Sequence, residues 1–408
     1  MSDPYVLIAR WLAGLLAGWG LSPQWVSFIM SALGVIVLCT AVLLIDIFLV
    51  WVERKVVARF QERLGPNRLG PFGLVQPIAD VIKLMIKEDT TPAGADKVVY
   101  NIAPILAMAT VLLIWAVIPL SPTILGTDIN VAVLYIVAVG AISTLGIIMA
   151  GWASNNKYAL LGAFRMVAQM ISYEVPMVIV LLIPVIFAGS MGIHVIVEDQ
   201  SIWYIVLAPL AAVVFLISSI AELGRAPFDL SEAESEIVSG YNVEYSGMKF
   251  GMFYAGELLH ALTVGGLFSA LFLGGWRGPF VQQIPILGVF YFFIKAFFMY
   301  WVIMWVKYSL PRLRIDHMLN FNWKFLTPLS LALLLVTAIL DKVLAGLGTA
   351  VYVLGMLAAN LVVLWITLSL TRKVASRERK RVGLPIAEPS PDRVATSAHL
   401  IQESAHDA

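Results

Sequence analysis

The chain repeats one pattern that few folds can house: apolar runs of about 20 residues or more, which match a ~30 Å bilayer core at 1.5 Å rise per residue. Nine such spans are read along it, at residues 28–52, 98–120, 131–153, 167–191, 202–222, 250–275, 284–308, 325–342 and 349–370. Inside hydrocarbon every backbone polar group must be satisfied within the protein, so spans of this kind are helices. With 60% hydrophobic and 13% charged residues, the composition excludes disorder and weighs against a soluble globule. The expected fold is all-α, a polytopic transmembrane helix bundle. Residues 5–21 are amphipathic and carry Arg10, and Asp3 precedes them, so residues 1–27 read as an interfacial segment and not as a cleaved signal.

The loops alternate in charge. Arg54, Lys55, Arg59, Arg63, Arg68, Lys83 and Lys87 follow the first span, Lys157 and Arg165 the third, Arg312, Arg314 and Lys324 the seventh. A further basic cluster from Arg372 to Arg381 follows the ninth. The positive-inside rule then sets the N-terminus outside and the C-terminus in the cytoplasm. Beyond Thr371 the chain is basic and then rich in Pro, Ser and Ala, the composition of a disordered cytoplasmic tail (371–408). The net charge of +1 and the lack of a basic aromatic stripe suggest no nucleic-acid partner. Cys39 is the single cysteine and lies in an apolar run, where it reads as a small core side chain. Alone it cannot hold an iron–sulfur cluster. The five histidines show no metal-ligand spacing, and neither a Gly-x-Gly-x-x-Gly nor a Walker A motif is present. No cofactor bound covalently or through metal ligands is therefore expected in this chain.

Three stretches depart from the apolar pattern. Residues 221–247 gather Glu222, Asp229, Glu232, Glu234, Glu236 and Glu244, with Arg225 as their only basic residue. Asp229-x-x-Glu232 and Ser231-x-x-Glu234 have the form of capping boxes, which predicts a short helix from near Ser231. Glu232 and Glu236 then share one face. Two readings stay open here: an acidic helix start that complements its dipole, or a functional acid series that Glu257 continues into the next span. In the first basic loop, Lys55, Arg59 and Arg63 recur every four residues, and two Gly-Pro pairs follow within residues 65–71. Residues 74–87 then read as an amphipathic helix lying in the interface.

The third departure is intramembrane charge, which is costly and usually functional. Glu174 lies roughly 14 Å along a helix from Arg165, too far for its side chain to reach the interface. Two residues later, Pro176 leaves the Ser172 carbonyl without its helical partner, and Glu174 is a candidate donor to it. Glu257 and His260, at i and i+3, can face one cavity, with Lys295 as a candidate counter-charge. Asp46 lies close enough to the end of the first span to be read as partly solvated.

The residues ERK at 53–55, ARFQERLGPNRLGPFGLVQPIAD at 58–80, GWASNNKYALLG at 151–162, SYEVP at 172–176 and the stretch 221–247 carry a specific resemblance. They resemble the H subunit of proton-pumping NADH:quinone oxidoreductase (respiratory complex I), the family of mitochondrial NADH dehydrogenase subunit 1. The resemblance runs from about Glu53 to Lys324. It implies a core of eight helices over residues 28–348, with cytoplasmic loops 53–97 and 222–249 and no redox centre of its own. Helix 349–370 is then an addition to the core. The resemblance also implies the cell (inner) membrane and quinone as the substrate of the complex. The implied partners are hydrophilic quinone-site subunits and antiporter-like membrane subunits. Residue by residue, Arg54, Arg63, Phe228, Asp229, Arg312 and Arg314 resemble the quinone tunnel. Glu174, Glu222, Glu232, Glu234, Glu236, Glu244 and Glu257 resemble the proton path, which Arg225 balances. His317 stands where the family usually has Gln. Three alternatives compete: the related anchor of an energy-converting hydrogenase, a secondary transporter, and a purely structural scaffold.

Overall fold

The computed structural model describes residues 4–230, 240–344, 346 and 348–381. The helix expected from near Ser231 and the tail beyond Arg381 lie outside the described residues. All regular structure within them is helical. It divides into two units, Met1–Asn360 and Leu361–Ala408, and the described part of the second is the continuation of the last helix.

Helices α1 (Pro4–Gly18) and α2 (Pro23–Phe60) each begin on a proline, which suits a first turn because the N–H there is unpaired anyway. α2 has 38 residues, far more than the ~20 that a bilayer core needs. Its last turns therefore carry Glu53, Arg54 and Lys55 to a charged face. The chain turns back there through Gly65, Gly70 and Gly73, at φ of 67°, 71° and 77°. A Cβ on Gly73 would run into the backbone of Pro66, so the two Gly-Pro steps fold onto each other. A 3-10 turn, Pro71–Gly73, leads into α3 (Gln76–Ile86). Arg54 ion-pairs with Asp80 of α3, and Trp51 Nε1 donates to the Phe72 carbonyl at 3.2 Å. The basic loop is thus tied down on the end of α2.

The bundle continues with α4 (Lys97–Trp115), capped by Asp96, then α5 (Ala132–Ala153) and α6 (Lys157–Ala188), capped by Asn156. Next come α7 (Ile193–Asp199), α8 (Tyr204–Leu207), α9 (Pro209–Glu222), α10 (Gly247–Phe272) and α11 (Ile286–Ser309). α12 (Ile315–Phe321) runs through a π turn (Asn322–Leu326) into α13 (Thr327–Leu344), and α14 (Thr349–Arg381) closes the chain. Among the described residues eight helices are long and apolar enough to cross a membrane, with α12 and α13 taken as one. The expected span at 202–222 differs. It breaks at Ala208 (φ −135°, ψ 64°), and its longer piece, α9, has 14 residues. The cause is Pro209, which has no N–H to donate and keeps the residue before it out of the helical region.

The centre of the larger unit is α10, of which an 18-residue stretch is 83% buried. Small residues let its neighbours close in, as is usual where helices pack inside lipid. A Cβ on Gly265 would lie 2.7 Å from the Ala296 carbonyl oxygen of α11.

Two prolines within helices free backbone acceptors for use by other segments. Pro104 leaves the Tyr100 carbonyl of α4 open, and it accepts from the Tyr245 hydroxyl at 3.2 Å. Pro176 does the same for Ser172 of α6, whose carbonyl accepts from Asn322 Nδ2. Glu174 is therefore not the donor there. The π turn brings the fully buried Asn322 onto α6 and fills that role.

Candidate functional site

The site is assembled where the end of α2, the segment after α9 and the end of α11 meet. Glu53 of α2 is 4% exposed. Its Oε1 accepts from Lys307 Nζ at 2.9 Å and from the Tyr308 hydroxyl at 2.7 Å, and Arg225 Nη1 lies 3.6 Å away. Arg225 itself is 5% exposed. A buried charge is tolerated only when paired, and here two cations share one carboxylate. Asp46, two helical turns before Glu53, is also buried and within electrostatic reach of Arg225. The sequence reading of Asp46 as partly solvated is thus corrected: α2 turns it inward on the same face as Glu53. Burial works against the charge of Arg225, but Glu53, then Tyr300, Glu257 and Tyr308, outweigh it and hold its pKa above the usual arginine value.

Helix α6 fixes the segment that carries Arg225. Gln169 Nε2 donates to the Ala221 and Phe228 carbonyls, at 2.7 Å each, and so clamps both ends of the turn. The Phe228 ring lies 5.1 Å from that of Tyr173, whose hydroxyl donates to the Met318 carbonyl at 2.9 Å. The Leu313 N–H donates to the Pro227 carbonyl at 2.9 Å, which sets the basic loop beside the same turn. Past the undescribed residues, the segment is held again from Gly240 onward. Tyr245 stacks on Tyr100 with ring centroids 4.1 Å apart, and Tyr100 donates to the Glu244 carbonyl at 2.8 Å. Burial, and then Tyr100, push the Tyr245 phenol above its ordinary range, so it stays a donor. Glu244 Oε1 accepts from Asn156 Nδ2 at 2.7 Å, and Glu257 accepts from the Tyr241 hydroxyl at 3.4 Å.

Two cavities flank this cluster. The one at the charged face is walled by Glu53, Arg54, Arg63, Tyr254, Lys307 and Tyr308. The other, the inner one, of about 30 Å³, lies between α4, α5, α6, α9 and α10. It is apolar except for Glu174, Ser219, Glu222 and His260.

The expected site residues thus fall into separate groups. Arg54 and Arg63 share the outer cavity, and Glu174 and Glu222 share the inner one. Arg225 and Glu244 lie in the held segment, and Glu257 lies in α10. Phe228 and Asp229 sit in the clamped turn. Arg312 lies beside Pro227, whereas Arg314 is exposed and 3.6 Å from Asp316. His317 is exposed in α12. Glu232, Glu234 and Glu236 lie outside the described residues. Lys295 is elsewhere, at the far end of α10. There its ammonium donates to the carbonyls of Leu273, Gly275 and Arg277 at 2.8, 2.8 and 2.9 Å. Leu273 is the C-cap of α10, whose negative dipole end attracts a cation, and Gly275 and Arg277 lie in the turn beyond it. Sequence reasoning did not single out Glu53, Lys307, Tyr308, Gln169 or Asn322. Glu53 and Lys307 each sit at the end of an apolar run, where a charge looks like an ordinary interfacial anchor. Among the described residues no group of three or more His, Cys, Asp or Glu is placed to hold a metal.

The family model for NADH dehydrogenase matches residues 33–338. A protein of Dehalococcoides mccartyi (strain CBDB1), named as the H subunit of NADH-quinone oxidoreductase, is 49% identical over 304 residues, which is 74% of this chain and 85% of that protein. Its namesake in Rhodospirillum rubrum is 44% identical over 323 residues, 77% of this chain and 96% of the relative. An H subunit of the same name in Geobacter metallireducens is 46% identical over 306 residues, covering 72% of this chain and 92% of that relative. The match extends over α2 to α13, the elements that build both cavities, and the chain belongs to the NADH dehydrogenase family, that of the H subunits of NADH-quinone oxidoreductase.

Proposed function

We propose that the chain is the membrane subunit through which an NADH:quinone oxidoreductase admits quinone and couples its reduction to proton translocation. In this reading the charged face is cytoplasmic and meets the hydrophilic subunits, while the membrane is the cell inner membrane. Electrons come from those partners, and quinone is the substrate of the complex. Reduction of a quinone to a quinol takes up two electrons and two protons, so negative charge develops on the ring oxygens. Arg54, Arg63 and Lys307 around the outer cavity supply compensating positive charge. Arg225, fixed between that cavity and the buried acids, links the charge at the ring to Glu257, Glu222 and Glu174. A proton gained or lost on those carboxylates is then the coupled event.

The observation that carries this reading is the Glu53–Arg225 pair, which is buried and couples the cavity at the charged face to the one among α4, α5, α6, α9 and α10. A soluble acceptor bypasses the path, which makes it testable. In membrane vesicles of the assembled complex, Glu174→Gln should leave NADH:ferricyanide activity intact and lower quinone-linked proton pumping by roughly tenfold or more, since one positioned acid–base group contributes ~10²–10⁴-fold. Wild-type pumping in a fully assembled mutant would end the reading.

A further inference from the structure

The inner cavity contains one ionisable side chain that the acid path does not use. His260 sits on α10 one turn beyond Glu257 and lines the cavity together with Glu174 of α6 and Glu222 of α9. The α4 and α5 sides of the cavity contribute only apolar side chains and Gly140. Glu174, Glu222 and His260 have no hydrogen-bond partner among the described residues. Buried polar groups are nearly always satisfied, by water when protein offers nothing. At about 30 Å³ the cavity exceeds the ~10–15 Å³ that one ordered water requires, and three polar groups around it are enough to hold one. His260 is also within electrostatic reach of Arg225, the residue that answers to Glu53 and Glu257. The imidazole is therefore coupled both to the Arg225 cluster and to the cavity that Glu174 and Glu222 line.

We propose that His260 is a proton-carrying residue of this path, passing protons between the Glu257 side and the Glu174–Glu222 pair through water held in the inner cavity. The inference rests on the coupling reading given above. The step is a simple transfer: one ring nitrogen accepts a proton as the other releases one. No bond to carbon changes and no electron moves. Imidazole suits this because its two nitrogens serve opposite sides, whereas an amide of similar size binds water but does not relay.

The test uses the assembled complex in membrane vesicles, with His260→Gln and His260→Asn beside Glu174→Gln and Glu222→Gln. Quinone-linked turnover, protons pumped per NADH and the solvent deuterium isotope effect are measured, with NADH:ferricyanide activity as the assembly control. For the histidine variants we expect intact ferricyanide activity, pumping reduced by roughly tenfold and an enlarged isotope effect as proton transfer becomes limiting. A purely structural role would not enlarge that effect. Wild-type pumping and isotope effect in both histidine variants, with the glutamate variants impaired, would overturn this inference alone. All four variants behaving as wild type would overturn the coupling reading beneath it. Failure of both amide variants to assemble would assign His260 a structural role and overturn the inference equally.

Discussion

Glu53 retains its charge in a buried setting because Lys307, Tyr308 and Arg225 all answer to it, and removal of one of them should be costly. Breaking a buried ionic group by deleting one partner costs about 3–5 kcal/mol, because the other charge is left uncompensated. Arg225→Ala is therefore expected to lower the thermal midpoint of the purified complex and to slow quinone-linked turnover, while ferricyanide reduction persists. The sign of any pH effect follows from Arg225, whose pKa is raised. Its own contribution is fully present below its unfolded value, so Arg225 itself does not titrate over about pH 6 to 9. A stability difference between wild type and mutant that varies across that range in thermal melts is therefore expected to report the carboxylates it balances, Asp46 among them, and a flat difference would mean that none of them is coupled to it. The acids of this site were legible in the sequence as a series, because charge inside an apolar chain stands out. Arg225 was legible with them, but Glu53 and Lys307 were not, because they meet Arg225 only in three dimensions.

The helices illustrate the same division between what pattern reveals and what packing decides. Span length located most of them, since it follows from the thickness of a bilayer. The break at Ala208 had a visible cause in Pro209, but apolar length alone masked it. The π turn at Asn322–Leu326 has no sequence signature, although it delivers Asn322 to the carbonyl that Pro176 frees. That pairing predicts a rescue. Asn322→Leu should cost about 1–3 kcal/mol by stranding a buried carbonyl. Pro176→Ala returns a helical N–H to the same carbonyl, so the double variant should recover part of the loss. A double-mutant cycle on thermal unfolding measures the coupling, and strict additivity would show that the two residues do not share that acceptor.

For the molecule as a whole, the motifs between Glu53 and Lys324 disclosed the family, and the matched residues 33–338 end before α14 begins. One feature of the assembled site also constrains how the chain comes into being. The two ends of the Glu53–Lys307 contact are 254 residues apart. At ~5–20 residues per second, roughly 10–50 s of synthesis separate the appearance of the carboxylate from that of its ammonium partner. Until Arg225 and then Lys307 are made, α2 waits at the membrane with an acid that its own helix cannot satisfy. Biosynthesis thus passes through a stage in which charge is badly placed, and the turn after α9 and the end of α11 resolve it. A nascent chain stopped after α6, before Arg225, should be recognised as unfinished and degraded quickly, and Glu53→Gln in that same truncation should prolong its life. Pulse-chase labelling reads the two half-lives directly, and equal ones would mean that the cell's quality control is blind to the orphaned carboxylate.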